Sequence, residues 1–140
     1  MLLLAAAVAL AAGWRYLPRG DAVPGGGPAA VRDAGPSGAM LVACDRRTGV
    51  LLIGTQPIGT RFVRVKTDGA ERATRVLHGD GGSTLVPVSS GSMLADGLAG
   101  ERRPLVIAFD RDETIVEPSR AVGRVVRECR SLTPARQSMR

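Results

Sequence analysis

The sequence predicts a mainly β domain of α+β type, with a small antiparallel sheet that is rolled into a barrel or folded as a sandwich and a C-terminal amphipathic helix. Three observations predict this class. The 140 residues are enough for one domain. Short apolar runs punctuated by glycine follow one another from Met40 with short connections, which is typical of antiparallel strands. A Thr67-Asp68-Gly69 segment carries the Asp-Gly signature of a tight hairpin.

Seven apolar or alternating segments are the expected strands. In chain order they are residues 40–44, 50–53, 61–66, 73–77, 85–88, 105–109 and 114–116. The third segment is the clearest, because Val63 and Val65 alternate with Arg64 and Lys66, as in a strand with one buried face. We expect the Asp-Gly turn to pair this segment with residues 73–77.

Two helices are expected in the same region. A short one covers residues 92–99 and ends at Gly100, and a longer one begins at Pro118, whose missing N–H has no cost in a first turn. The apolar side of the longer helix holds Val122, Val125, Val126 and Cys129. Its opposite, basic side holds Arg120, Arg124 and Arg127. This arrangement predicts an amphipathic helix with a buried valine face, and we expect Pro134 to end it and residues 132–140 to be disordered.

Residues 1–17 are expected to be a signal peptide or a short membrane anchor. The run at residues 2–12 is wholly Leu, Ala and Val, and as a helix it would span roughly 17 Å, against a hydrocarbon core of about 30 Å. That length is typical of a secretory signal core, and small residues allow cleavage after Ala11. No Lys or Arg precedes the run, so the alternative is an uncleaved anchor with Trp14 and Tyr16 at the membrane interface.

Residues 18–38 are expected to be a flexible tether, because they hold six Gly, four Pro and four Ala. Such a composition buries too little apolar surface to offset the entropy of ordering the chain. The folded domain is accordingly expected at residues 39–131.

The charge pattern argues against a nucleic-acid partner. The formal net charge is +6, but residues 39–131 carry 14 basic against 11 acidic side chains without a dense basic block. The chain has one Trp, one Tyr and two Phe, too few aromatic rings for a base-stacking surface. The remaining candidate for a binding site is the basic side of the longer helix, which holds Arg120, Arg124 and Arg127. It would be an anion-binding face for an anionic membrane surface or an envelope protein. The alternative is that these arginines are only the solvated side of a core helix. The sequence makes no small-molecule substrate evident.

Cys44 and Cys129 are the only cysteines. In an exported chain, an even count at positions bracketing a domain predicts one disulfide, which would contribute about 4.6 kcal/mol by the loop-entropy model. The alternative is two buried free thiols. Two Cys and one His without paired spacing do not form a tetrahedral zinc site, so we expect no metal and no cofactor.

Asp110 and Asp112 provide the one enzymatic alternative. An apolar segment followed by Asp-x-Asp-x-Thr looks like the first motif of haloacid-dehalogenase-type phosphatases, in which the first Asp attacks phosphorus and the second acts as acid and base. That chemistry also requires a downstream Lys, whereas the only Lys here is Lys66, which lies upstream. A charged hairpin turn between two strands explains the same residues, and we predict no enzymatic activity.

The segments 41–45 and 124–130, each of which contains a cysteine, resemble small exported proteins of uncharacterised activity from GC-rich proteobacteria. The resemblance covers roughly residues 40–131 and implies export and a disulfide. We therefore expect a non-catalytic exported accessory or binding protein of the envelope, periplasmic or tethered on the outer side of the inner membrane. The alternative is a subunit of a larger membrane complex held by an uncleaved N-terminal helix.

Overall fold

A computed structural model describes residues 13–19, 26–33, 39–78 and 83–138. It confirms the predicted fold class, with two antiparallel sheets and a C-terminal helix. Across these residues neither sheet closes into a barrel.

The two sheets differ in size. The larger consists, in spatial order, of β1 (Arg15–Leu17), β2 (Ala29–Arg32), β3 (Met40–Asp45), β4 (Val50–Thr55), β8 (Thr84–Ser89) and β7 (Leu77–His78). The smaller consists of β10 (Asp112–Val116), β9 (Leu105–Phe109), β5 (Phe62–Thr67) and β6 (Ala70–Arg75). All seven predicted strands are present, with ends that differ by a few residues, and β1, β2 and β7 were not predicted.

The helical part begins with a 3-10 turn (Met93–Ala95), which continues into α1 (Asp96–Ala99) as expected for residues 92–99. The long helix α2 (Arg120–Ser138) starts two residues after Pro118, because the Ser119 hydroxyl accepts a hydrogen bond of 3.1 Å from the Val122 N–H and so caps the first turn.

The prediction that Pro134 ends α2 was wrong, and so was the disordered tail over residues 132–138, which are helical. A proline inside a helix removes one backbone hydrogen bond and favours a bend, but it does not prevent the flanking turns from forming. Residues 139–140 lie outside the described residues.

The expected tether is also wrong over the part that the structure describes. Within residues 18–38, β2 is an inner strand between β1 and β3, and its Ala29 and Ala30 are fully buried. Gly27 lies so close to β3 that a Cβ there would be 2.1 Å from the Cys44 carbonyl oxygen. Small residues that are typical of a linker serve here to bring two strands together. Residues 20–25 and 34–38 lie outside the described part of the chain.

Of residues 1–17, for which a signal peptide or a short membrane anchor is expected, the structure describes only residues 13–17. Residues 15–17 form β1, an edge strand in register with β2, with Tyr16 opposite Ala30. The predicted cleavage after Ala11 and the apolar run at residues 2–12 lie outside the described residues.

The turn between β3 and β4 shows how local polar groups fix a strand end. The Asp45 carboxylate accepts a 2.9 Å hydrogen bond from the Arg47 N–H, and Gly49 closes the turn at φ 73°. Burial acts to raise the pKa of Asp45, but the hydrogen bonds and charge of Arg47 outweigh it, so the pKa lies below its usual value.

One hydrophobic core joins both sheets and the helices. The predicted valine face of α2 is confirmed, since Val122, Val125 and Val126 are fully buried. Gly123 lets α2 approach α1 closely, because a Cβ at this position would lie 3.1 Å from the Leu98 carbonyl oxygen. This close approach positions the exposed side of α2 beside the loop that follows α1.

Candidate functional site

The cysteine pair lies in the main hydrophobic core. Cys44 on β3 and Cys129 on α2 are both fully buried, and their Cα atoms are 5.6 Å apart in a disulfide that spans 85 residues of sequence. The predicted disulfide is therefore confirmed, and the alternative of two free thiols is wrong. The bond fixes the C-terminal helix on the inner face of the larger sheet.

The segment that contains β1 is joined to the rest of the domain by several side-chain contacts. The guanidinium of Arg32 lies 5.4 Å from the centre of the Trp14 ring. Arg15 forms an exposed ion pair of 2.9 Å with Asp33. The Tyr16 hydroxyl donates a hydrogen bond to Glu128 of α2. The chain that emerges from residues 1–12 therefore enters the folded domain directly.

Arg32 is the buried charge of this region, with 6% of its surface exposed. It donates a hydrogen bond to Glu117, which precedes α2, and its Nε is buried without a hydrogen-bond partner. A buried guanidinium requires a carboxylate or an aromatic face nearby, and Glu117 and Trp14 supply both. Arg32 thus connects β2, the N-terminal segment and the start of α2.

The structure places the three predicted anion-binding residues on the exposed side of α2, as expected, but engages two of them within the chain. Arg127 donates hydrogen bonds to the Ala99 carbonyl (2.7 Å) and to Glu101 (3.1 Å). The Arg124 guanidinium lies 3.9 Å from the centre of the Tyr16 ring. Arg120 forms no hydrogen bond or ion pair among the described residues.

A surface groove of about 440 Å³ runs between β1 and α2. Its lining residues are Trp14, Tyr16, Glu101, Arg120, Ala121, Arg124 and Arg127. We call it the β1–α2 groove. All three predicted arginines therefore meet at one site, with the chain's only Trp and only Tyr as its aromatic wall. The sequence indicated both aromatic residues as interface residues, but their position beside α2 depends on the pairing of β1 with β2.

Of the two residues in the aromatic wall of the β1–α2 groove, Tyr16 is the one with an ionisable side chain. Burial raises the pKa of its hydroxyl, and the hydrogen bond to Glu128 and the negative charge of that carboxylate raise it further. The Arg124 cation acts in the opposite direction with a smaller effect. Tyr16 is consequently a neutral hydrogen-bond donor throughout the physiological pH range.

Arg130 is a structural residue that the sequence did not single out. It donates a 2.5 Å hydrogen bond to the Ser90 carbonyl and forms a 2.5 Å ion pair with Asp96. These contacts join α2 to both ends of the 3-10 turn. No sequence spacing indicates this role, because the partners are more than 30 residues away.

Asp110 and Asp112 lie where the hairpin interpretation places them, at the turn between β9 and β10. Asp110 has a positive φ of 50°, which a two-residue hairpin turn requires. Both carboxylates border an open depression of about 340 Å³ that also contains Lys66, whose amine is 3.7 Å from Glu113. In the part of the chain that the structure describes, no three His, Cys, Asp or Glu side chains converge as a metal site.

No protein-family model, curated protein or solved structure matches this chain. None of the helices within the described residues is both long enough and apolar enough to span a membrane. The fold and the site therefore define a disulfide-linked, mainly β domain with an arginine-rich groove beside its N-terminal strand.

Proposed function

We propose that this protein is a non-catalytic accessory or binding protein of the cell envelope, exported to an oxidising compartment. The disulfide between Cys44 and Cys129 is the observation that carries this proposal, because disulfides persist outside the cytosol and are rare within it. The apolar run at residues 2–12 supports the same location, since its length is typical of a secretory signal core.

A role in binding is supported by the surface of the domain. The β1–α2 groove combines arginines with an aromatic wall, which is a combination suited to recognising anionic groups. Asp110 and Asp112, in contrast, lie on a solvent-exposed hairpin turn. We therefore assign the function to the groove and to surface contacts.

The second candidate is a subunit of a larger membrane complex, held by an uncleaved N-terminal segment. It is favoured by the contacts of β1, because Trp14 and Tyr16 already pack against Arg32 and Arg124. If residues 2–12 stayed in the membrane, only Gly13 would separate the membrane surface from the segment that makes these contacts.

An intact mass of the exported protein tests the proposal. The full-length chain is expressed in a bacterial host, the periplasmic and membrane fractions are separated, and the mass is measured without reductant. The proposed function predicts a periplasmic chain that begins at Ala12 and lacks the two thiol hydrogens of Cys44 and Cys129. The second candidate predicts an oxidised chain with Met1 in the membrane fraction.

A Cys44→Ala/Cys129→Ala variant is the control, since its mass must not change on reduction. A reduced wild-type chain that remains in the cytoplasmic fraction would contradict both candidates.

A further inference from the structure

We propose that the β1–α2 groove binds the phosphodiester headgroup of an anionic phospholipid. The inference rests on the second candidate function, in which residues 2–12 stay in the membrane. The position of the groove, its unpaired charge and its aromatic wall support it.

The position follows from the length of chain between the apolar run and the groove. Trp14 is two residues beyond Ala12, and two extended residues span at most about 7 Å. A bilayer of about 40–45 Å with a hydrocarbon core of about 30 Å leaves roughly 5–8 Å for each headgroup layer. If the apolar run ends at the hydrocarbon boundary, Trp14 and the groove it lines lie at the depth of the phosphates.

The carboxylates beside the groove do not neutralise all of its arginines, so positive charge remains for binding an external anion. Arg127 and Glu101 form an ion pair of 3.1 Å and offset each other. Arg124 is 3.6 Å from Glu128, but both side chains are substantially exposed, and such surface pairs are weak. Arg120 has no carboxylate partner among the described residues. Arg120 is therefore the guanidinium group without a partner among the described residues. Arg124, which stacks on the Tyr16 ring at 3.9 Å and pairs weakly with Glu128, is the second cation beside it.

A phosphodiester fits these groups chemically. It carries one negative charge and two unesterified oxygens, and the planar guanidinium presents its donors in a fork that matches such oxygens. Arg120 and Arg124 are one helical turn apart on α2, so both can face the same headgroup.

The aromatic wall provides the third argument. Trp and Tyr are enriched at the depth of lipid headgroups because their rings are apolar and their edges polar. The indole Nε1–H of Trp14 is buried and has no acceptor among the described residues. Since this atom is buried, the wall would meet a headgroup through its ring faces and not through the indole N–H.

Fluorescence of Trp14 tests the headgroup site, because it is the chain's only tryptophan. The full-length protein is reconstituted into neutral phosphatidylcholine vesicles and into vesicles with increasing phosphatidylglycerol. Residues 2–12 hold the protein on both, so any difference reports on the headgroup. We expect a saturable change in Trp14 emission with phosphatidylglycerol that weakens with added salt.

Arg120→Gln is the decisive variant, since Arg120 supports no other described side chain and the domain should remain folded. We expect its apparent affinity for phosphatidylglycerol to be about fivefold lower, which corresponds to about 1 kcal/mol for one cation near an anionic surface. Arg75→Gln is the matched control, because Arg75 is an exposed arginine on the edge strand of the other sheet and should leave the affinity unchanged.

Three results would overturn the proposal. The first is an identical Trp14 response in neutral and anionic vesicles, and the second is an Arg120→Gln response equal to that of the wild type. The third is saturation by soluble sn-glycerol 3-phosphate in neutral vesicles at equal phosphate concentration, which would assign the groove to a soluble phosphate compound. An intact mass beginning at Ala12 would instead remove the membrane-retained form on which the inference rests.

Discussion

Arginine side chains make many of the long-range polar contacts in this domain. Arg32 links β2 to Glu117, Arg127 links α2 to the Ala99 carbonyl, and Arg130 links α2 to the Ser90 carbonyl. A guanidinium can do this because it offers five donors in one plane and its long stem packs on apolar neighbours. In a domain whose largest fully buried side chains are all Leu, Ile and Val, these contacts supply the directional links that aliphatic packing lacks.

Tyr16 allows a test at the scale of one residue. Its pKa is raised in the folded state, by burial first and then by Glu128. A raised pKa means that the stability contributed by Tyr16 is complete below its ordinary value of about 10 and is lost as the pH rises through the folded value. We therefore expect the free energy of unfolding to fall as the pH rises above about 10.

Spectrophotometric titration of tyrosinate measures this directly, because Tyr16 is the only tyrosine. The midpoint should be higher in the native protein than in protein unfolded by urea. Tyr16→Phe should remove this part of the alkaline dependence and cost about 0.5–1.5 kcal/mol at neutral pH through the lost hydrogen bond. Equal midpoints in native and unfolded protein would contradict the packing of β1 on α2.

At the scale of secondary-structure elements, the sequence predicted the strands and helices whose own residues show a recognisable pattern of polarity. Strands such as β5 alternate in polarity, and α2 repeats its valines at helical spacing, so each could be recognised without its neighbours. The strands β1 and β2 have three and four residues, which are too few for an alternating pattern to be recognised. They exist because they pair with each other and with β3, which is a long-range property.

The sequence predicted only part of the β1–α2 groove, because the rest depends on the same long-range strand pairing. Its arginines follow from the helical wheel of α2, whereas its aromatic wall requires the pairing of β1. Glu101, the partner of Arg127, was not predicted, because an ion pair between distant segments leaves no local sequence signal. Glu128 lies one helical turn after Arg124, but its hydrogen bond from Tyr16 depends on the pairing of β1.

A glycine substitution tests whether β2 is an integral strand. Gly27→Ala would place a Cβ 2.1 Å from the Cys44 carbonyl oxygen, which is backbone and can move only with β3. We expect a loss of about 1–3 kcal/mol, the usual cost of overpacking. Gly59→Ala is the control, because no atom lies within 4 Å of its Cβ position and the effect should stay within about 0.5 kcal/mol. Urea unfolding followed by Trp14 fluorescence measures both, and equal stabilities would indicate that residues 26–33 act as a tether.

At the scale of the whole molecule, the disulfide joins the parts that are most distant in sequence. Cys44 lies on β3 of the larger sheet and Cys129 on the last helix, with the whole smaller sheet in the loop between them. The bond therefore restricts the unfolded chain over 85 residues. The effect of that restriction should be large, because the core in the described residues has no fully buried aromatic side chain and aromatic residues bury the largest areas.

Thermal melting followed by circular dichroism measures this contribution. The wild type is compared with and without reductant and with Cys44→Ala/Cys129→Ala, in which alanine leaves no buried hydroxyl or thiol. Loop entropy sets the loss at about 4.6 kcal/mol, and removal of native disulfides from small domains costs about 2–5 kcal/mol. Since 1 kcal/mol shifts the Tm of a domain of this size by roughly 4 °C, the reduced wild type and the variant should both melt about 8–20 °C lower. Reductant must leave the variant's Tm unchanged. A fully reduced wild type with an unaltered Tm would mean that packing of the valine face alone holds α2 on the larger sheet, and that the disulfide contributes no measurable stability.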